Sequence, residues 1–178
     1  MFYIKAINGE MIRDAIDARD RFDLLREAQS ELAHSYKGMM AFESRSGRDY
    51  LIRIIPGRSK QRKSMGVRSS ETEEIFSQFK NGKSRVKERI SSLRKQLEER
   101  APVLVARGLG RMPLLPARVL RKLDQVGVLG QGLTVLGTNA LYAYEAASGV
   151  QIESAMLATG DVDVLYDARR KLVIGGDT

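Results

Sequence analysis

From Ser70 to Arg100 the chain runs for thirty-one residues without a proline and with one glycine, Gly82. Phe76, Phe79, Val86, Ile90, Leu93 and Leu97 recur along it at helical spacing, the later intervals being four, three and four. Ser70 and Glu73 form a capping-box pattern. A helix over 71–100 is therefore predicted, about 45 Å long at 1.5 Å per residue. Asn81-Gly82 marks a place where it can kink, and Ala101-Pro102 is its expected end. Its apolar stripe is narrow, like the seam of a helical hairpin or coiled coil, so the helix needs a partner. One candidate is an earlier helix of the same chain; the other is a second copy, which would make a homo-oligomer. The earlier helix reads over 9–36, capped by Asn8 and stopped by Gly38, with Ile12, Ala15, Ile16, Phe22, Leu25, Ala28, Leu32 and Tyr36 on its stripe. His34, near its end, reads as a surface or cap residue.

Between the two helices lies a hairpin signal at 39–55. Strands 39–44 and 50–55 flank the turn-like segment 45–49, and Pro56-Gly57 follows. The next stretch, Arg58 to Arg68, carries Arg58, Lys60, Arg62, Lys63 and Arg68 with no acid. It reads as a flexible basic loop suited to phosphate contacts, and its five cations are the expected polyanion-binding residues. Beyond the long helix, Pro113 and Pro116 bracket the start of a shorter one. Val119, Leu120, Leu123 and Val126 line that helix and Gly127 closes it.

Charge is distributed unevenly. The net charge of +8 comes from 30 Lys/Arg and 22 Asp/Glu among 178 residues. Residues 1–44 carry −2, residues 45–122 carry +14 and residues 123–178 carry −4. The basic 45–122 region suggests nucleic acid or nucleotide phosphates as a partner, or else a solvated helix face. The chain has no cysteine and one histidine, which excludes disulfides, thiolate metal sites, cysteine nucleophiles and multi-histidine metal sites within one chain. No apolar run has membrane-spanning length. Met1-Phe2-Tyr3-Ile4-Lys5 does not open a signal peptide. A cytoplasmic protein with no membrane partner is the expectation.

From residue 130 the pattern changes. Gly132-Leu133-Thr134-Val135-Leu136 is of strand type and leads into Gly137-Thr138-Asn139; residues 140–147 read as a helix closed by Ser148-Gly149. Later comes Gly160-Asp161-Val162-Asp163-Val164. In a strand, residues two apart share a face. That would place Asp161 and Asp163 side by side, with Val162 and Val164 toward the core. Two adjacent carboxylates call for a cation, and hard oxygen donors suit Mg²⁺ joined by water and substrate phosphates. The strand–Gly–helix turn offers backbone N–H groups for a phosphate, with Gly137 allowing close approach.

These residues resemble the polymerase-β-type nucleotidyltransferase superfamily, in which a strand–glycine–helix turn precedes an Asp-x-Asp strand. Residues 135–145 and 157–169 are similar to a family of bacterial nucleotidyltransferase-fold proteins. Gly47-Arg48-Asp49-Tyr50-Leu51, Lys63-Ser64-Met65-Gly66 and Ser69-Ser70-Glu71-Thr72-Glu73 are similar as well. The resemblance implies an α+β fold. A helix-rich N-terminal region with a β-hairpin (1–129) would precede a partial nucleotidyltransferase core (130–178). It also implies metal-dependent transfer of a nucleoside monophosphate from an NTP to an acceptor. Asp161 and Asp163 would be catalytic residues and ligands of Mg²⁺ or Mn²⁺; Gly137, Thr138 and Asn139 would bind the nucleotide. Two departures stand out. Thr138 and Asp161 are separated by 22 residues, longer than the usual superfamily interval. A third carboxylate normally comes from a later strand, whereas only 15 residues follow Asp163 and their tail Gly175-Gly176-Asp177-Thr178 offers Asp177 alone. A truncated member with lost activity is the corresponding expectation. The alternatives are a non-catalytic nucleic-acid-binding protein using residues 45–122, and a helix-mediated oligomerisation protein.

Overall fold

The structure, a computed structural model, describes residues 4–57, 61–157 and 160–169. The fold is mixed α+β, as expected. By contacts the chain divides into a middle unit, Ala18–Arg100, and a terminal unit formed by Met1–Asp17 with Ala101–Gly176. The expected boundary at 129/130 is not where contacts separate the chain. The reason is long-range pairing: the first strand and the segment after residue 100 fold with the C-terminal segment.

In the middle unit the core joins α1 (Gly9–His34) to α2 (Ser70–Ala106). Leu25 and Ala28 of α1 are buried with Val86, Ile90 and Leu93 of α2, and Leu32, Tyr36 and Leu97 pack around them. The narrow stripe thus finds its partner within the chain. Asn8 caps α1 as predicted, its Oδ1 accepting from Met11 N at 2.9 Å. His34 ends the helix, exposed, with Nδ1 2.8 Å from the Ser30 carbonyl oxygen. α2 runs without a break through Asn81-Gly82. Gly82 is buried, and a Cβ there would collide with the Tyr36 ring, so the glycine is explained by close approach.

Two expected features of α2 are corrected. The capping pair lies one residue earlier than Ser70/Glu73: Thr72 N donates to Ser69 Oγ at 3.3 Å and Ser69 N to Thr72 Oγ1 at 2.8 Å. Glu73 is instead drawn to Arg68, whose Nε donates to it at 2.8 Å. Nor does Pro102 end the helix, which runs on to Ala106. A proline removes its own bond to the carbonyl four residues back and crowds that carbonyl, so both effects fall on the turn before it. The following turns still close through Arg107 N to Val103 O at 3.0 Å.

The hairpin is present but tighter and larger than predicted. Strands β2 (Met39–Arg45) and β3 (Arg48–Ile55) pair through the two-residue turn Ser46-Gly47, both with positive φ. The basic segment, expected to be a flexible loop, forms a third antiparallel strand, β4 (Gln61–Val67), on the other edge of β3. A bulge at Leu51/Ile52 adjusts the register. The free edge of β3 supplies backbone partners, and Glu43 on β2 supplies a carboxylate for Arg62. Charge therefore did not keep this segment out of the sheet.

The terminal unit is built from short pieces. β1 (Ile4–Ala6) pairs antiparallel with β6 (Val150–Ile152). α3 (Leu114–Gln125) follows Pro113 as expected, and Gly127 closes it. β5 (Leu133–Val135) leads into α4 (Gly137–Ser148), and β7 (Val164–Tyr166) pairs antiparallel with β5. The long interval between Thr138 and Asp161 is thus occupied by α4, by β6 and by a 3₁₀ turn at Ser154–Met156. Polar links hold the pieces together. Arg111 donates to Glu145 Oε1 at 2.8 Å and to the Ile152 carbonyl at 2.7 Å, while Ile152 N donates back to Glu145 Oε1 at 2.5 Å. Arg107 pairs with Asp14 at 2.5 Å, and Gln151 Nε2 donates to the Gly108 carbonyl at 2.6 Å. Asp167 caps its own turn, accepting from Arg169 N at 3.1 Å.

Candidate functional site

The antiparallel ladder of β5 and β7 decides the geometry. Val135 stands opposite Val164, and one step further Leu136 N donates to the Asp163 carbonyl at 2.9 Å. The residue after the end of β5 therefore meets the residue before the start of β7. That residue after Leu136 is Gly137, with φ +60°, and a Cβ on it would strike the Asp163 carboxylate, its Cγ lying 3.3 Å away. Only glycine suits both the left-handed backbone and the contact.

Asp161 and Asp163 do not lie within a regular strand, which corrects the predicted same-face pair. They precede β7, and Val164 is 42% exposed instead of facing the core. Backbone hydrogen bonds hold the Asp-x-Asp segment in place of a longer ladder. Leu136 takes the Asp163 carbonyl, and Asn139 Nδ2 donates to the Asp161 carbonyl at 2.6 Å. Asn139 is 2% exposed, and its Oδ1 is buried with no hydrogen-bond partner. Its residue type matched the expected nucleotide group, but the sequence carried no signal that it would tie α4 to the Asp-x-Asp segment.

The expected nucleotide and metal residues Gly137, Thr138, Asn139, Asp161 and Asp163 are thus gathered at one turn. Helix α4 begins at Gly137 after an extended Leu136, with no side-chain cap on its first N–H groups. Both aspartates are exposed and Thr138 is half-buried. Among the described residues no group of three or more His, Cys, Asp or Glu converges as a metal-binding cluster. Asp177, the expected third carboxylate, lies outside the described residues.

The polyanion residues fare differently. Arg58 and Lys60 lie outside the described residues. Arg62 is paired with Glu43. Arg68 is bracketed by Glu73 at 2.8 Å and Asp49 at 3.4 Å, and those two carboxylates, Glu73 first, raise its pKa above the usual arginine value. It also lies 4.9 Å from the Phe42 ring centroid. Lys63 stands opposite Arg53 in the register, so the two share a sheet face.

A strand–glycine–helix turn abutting an Asp-x-Asp segment resembles the site pattern of nucleotidyltransferases. In agreement, residues 115–177 match the model of a family described as nucleotidyltransferase. The match covers most of α3, the glycine turn, α4 and the Asp-x-Asp segment, and it supports a nucleotidyltransferase fold for this part of the chain. No curated protein and no solved structure matches the chain. Among the described residues no helix is long and apolar enough to cross a membrane.

Proposed function

We propose that the terminal unit transfers a nucleoside monophosphate from an NTP to an acceptor with the help of a divalent cation. The observation that carries this reading is the packing of Gly137 against the Asp163 carboxylate, with Asn139 tied to the Asp161 carbonyl. In this reading the start of α4, which has no side-chain cap, works with the Asp163 carboxylate against Gly137 and with Asp161, whose carbonyl is bonded to Asn139. Phosphate suits such a helix terminus, where N–H groups and the helix dipole both favour an anion.

The donor set fits Mg²⁺ or Mn²⁺. Such an ion is held by one or two carboxylates, with water and substrate phosphates completing its shell. Asp161 and Asp163 would hold it. When bound, it would neutralise phosphate charge and make the acceptor oxygen a better nucleophile. The chain's own residues then have separate tasks. The Gly137–Thr138 backbone receives the triphosphate. Gly137 lets the Asp163 carboxylate close on the turn, where any other residue would place a Cβ against it. Asn139 and Leu136 orient the Asp-x-Asp segment through its carbonyls, leaving its carboxylates directed by short, fixed backbone.

Calorimetric titration of NTP with Mg²⁺ into wild type and Asp161→Asn/Asp163→Asn tests the reading. Metal-dependent NTP binding is expected in the wild type and is lost in the double variant. Equal binding by both proteins would falsify it. Pyrophosphate release from labelled NTP across candidate acceptors then tests the transfer itself.

A further inference from the structure

The middle unit has a feature that the transfer reading leaves unused. A groove of about 330 Å³ lies between the start of β2 and the first half of α2. Met39, Met40, Phe76 and Phe79 form its apolar floor, and Lys80, Lys83 and Lys87 line its side. The three lysines fall at i, i+3 and i+7, one helix face, and span about 10 Å at 1.5 Å per residue. Among the described residues no carboxylate pairs with any of them. This sets them apart from Arg62 and Arg68, which are paired with carboxylates of the same chain.

We propose that this groove binds single-stranded nucleic acid, seating a base on the Met/Phe floor and phosphates along Lys80, Lys83 and Lys87. Charge complementarity selects the occupant. Residues 18–100 hold 20 Lys/Arg against 12 Asp/Glu, equal to the whole net charge of the chain. Arg53 and Lys83 also converge on Phe79, at 5.4 and 5.6 Å from its ring centroid. Lys83 donates to the Gly38 carbonyl, which fixes its position. Its pKa is lowered by burial first, then by Lys87 and Arg53 nearby. A backbone of regularly spaced phosphates relieves that crowding, and an apolar floor beside cations suits unpaired bases. A duplex keeps its bases stacked inside and cannot use the floor.

The inference does not depend on nucleotide transfer, so its test is run with the full chain in EDTA and without NTP. Fluorescence anisotropy of a labelled single-stranded twelve-mer is read across a salt series. Wild type should bind with a falling log–log salt dependence. Lys80→Gln/Lys83→Gln/Lys87→Gln should weaken binding at least tenfold and flatten the slope by about 2, at roughly 0.7 per lost phosphate contact. Because Lys83 also packs on Phe79, Lys80→Gln/Lys87→Gln is measured alongside, with an expected flattening of about 1.4. Asp161→Asn/Asp163→Asn should bind as wild type does. An unchanged slope in both lysine variants overturns the proposal. So does tighter binding to the duplex, or equal competition by linear polyphosphate of matched charge, since either result means that the apolar floor holds no base.

Discussion

Residues 18–100 carry 20 Lys/Arg and 12 Asp/Glu, whereas the rest of the chain carries ten of each. The two units are also held together differently. The middle unit buries Leu25, Ala28, Val86, Ile90 and Leu93 between two long helices and sets a three-stranded sheet against Phe76 and Phe79. The terminal unit contains strands of only three residues and depends on directed polar links, with Arg111 and Glu145 at their centre. The unit with the charge thus lacks the Asp-x-Asp turn, and the unit with the turn is electrically balanced. A unit without net charge adds no overall repulsion to the divalent cation proposed for the two aspartates. A basic surround serves an extended polyanion instead.

The largest expected effect tests whether the polar links bear the terminal unit. Glu145→Ala leaves the Arg111 guanidinium and the Ile152 N–H without their acceptor, and breaking such a buried pair costs about 3–5 kcal/mol. Hydrogen exchange should accelerate over residues 133–166 while residues 86–93 stay protected. Equal loss of protection in both segments would mean that the two units unfold as one.

The mirror experiment acts on the middle unit. Ile90→Ala empties part of a packed helical seam and should cost about 3 kcal/mol. Urea denaturation measures the loss, and NTP titration reports on the terminal unit, which should keep its affinity within about twofold if the energetic separation holds. A smaller effect on stability but a larger one on function is expected at Gly137. Gly137→Ala puts a Cβ against Asp163 in a left-handed backbone, a strain of about 1–2 kcal/mol. Metal-dependent NTP binding should fall at least tenfold while oligonucleotide binding by the middle unit is unchanged. Retained NTP affinity would remove Gly137 from the site.

The smallest effect is a pH dependence of the middle unit. The Ser44 hydroxyl, followed by Arg68, holds the Asp49 carboxyl below its ordinary value. A depressed folded-state pKa means that the stabilisation is present above the ordinary aspartate value and is lost as pH falls through the lower folded value. The window therefore lies below about pH 4. Asp49 is partly open to solvent, so the contribution is small. The difference in urea midpoint between wild type and Asp49→Asn should shrink between about pH 5 and pH 3. A difference that is constant over this interval would show that the Ser44 and Arg68 contacts favour neither protonation state.

Features with a local cause were readable from the sequence. The stripe from Phe76 to Leu97 predicts α2 because helical spacing is a property of neighbouring residues, and Asn8 predicts its cap for the same reason. Gly137 and the Asp161–Asp163 pair were recognisable through residue type and order. The errors arose where a partner outside the motif competed with a local preference. Ser70/Glu73 was a sound capping pattern, but Arg68 claimed Glu73 and the box moved to Ser69/Thr72. The Arg58–Arg68 segment had the composition of a loop, but the free edge of β3 took its second half as a strand. The lysine row at 80, 83 and 87 was visible as spacing; that it borders an apolar groove was not.

By itself, then, the sequence determined the two long helices, the uneven charge and the chemical groups of the glycine turn, all consequences of spacing and residue type within about one helical turn or one strand. Only the tertiary structure decided which of those groups meet. The β5–β7 register brings Gly137 onto Asp163 across 26 residues, and the Glu43 and Glu73 carboxylates remove Arg62 and Arg68 from the set of free cations. Such pairings turn on backbone hydrogen bonds and charges that meet only once strands and helices are in place, and no periodicity records them.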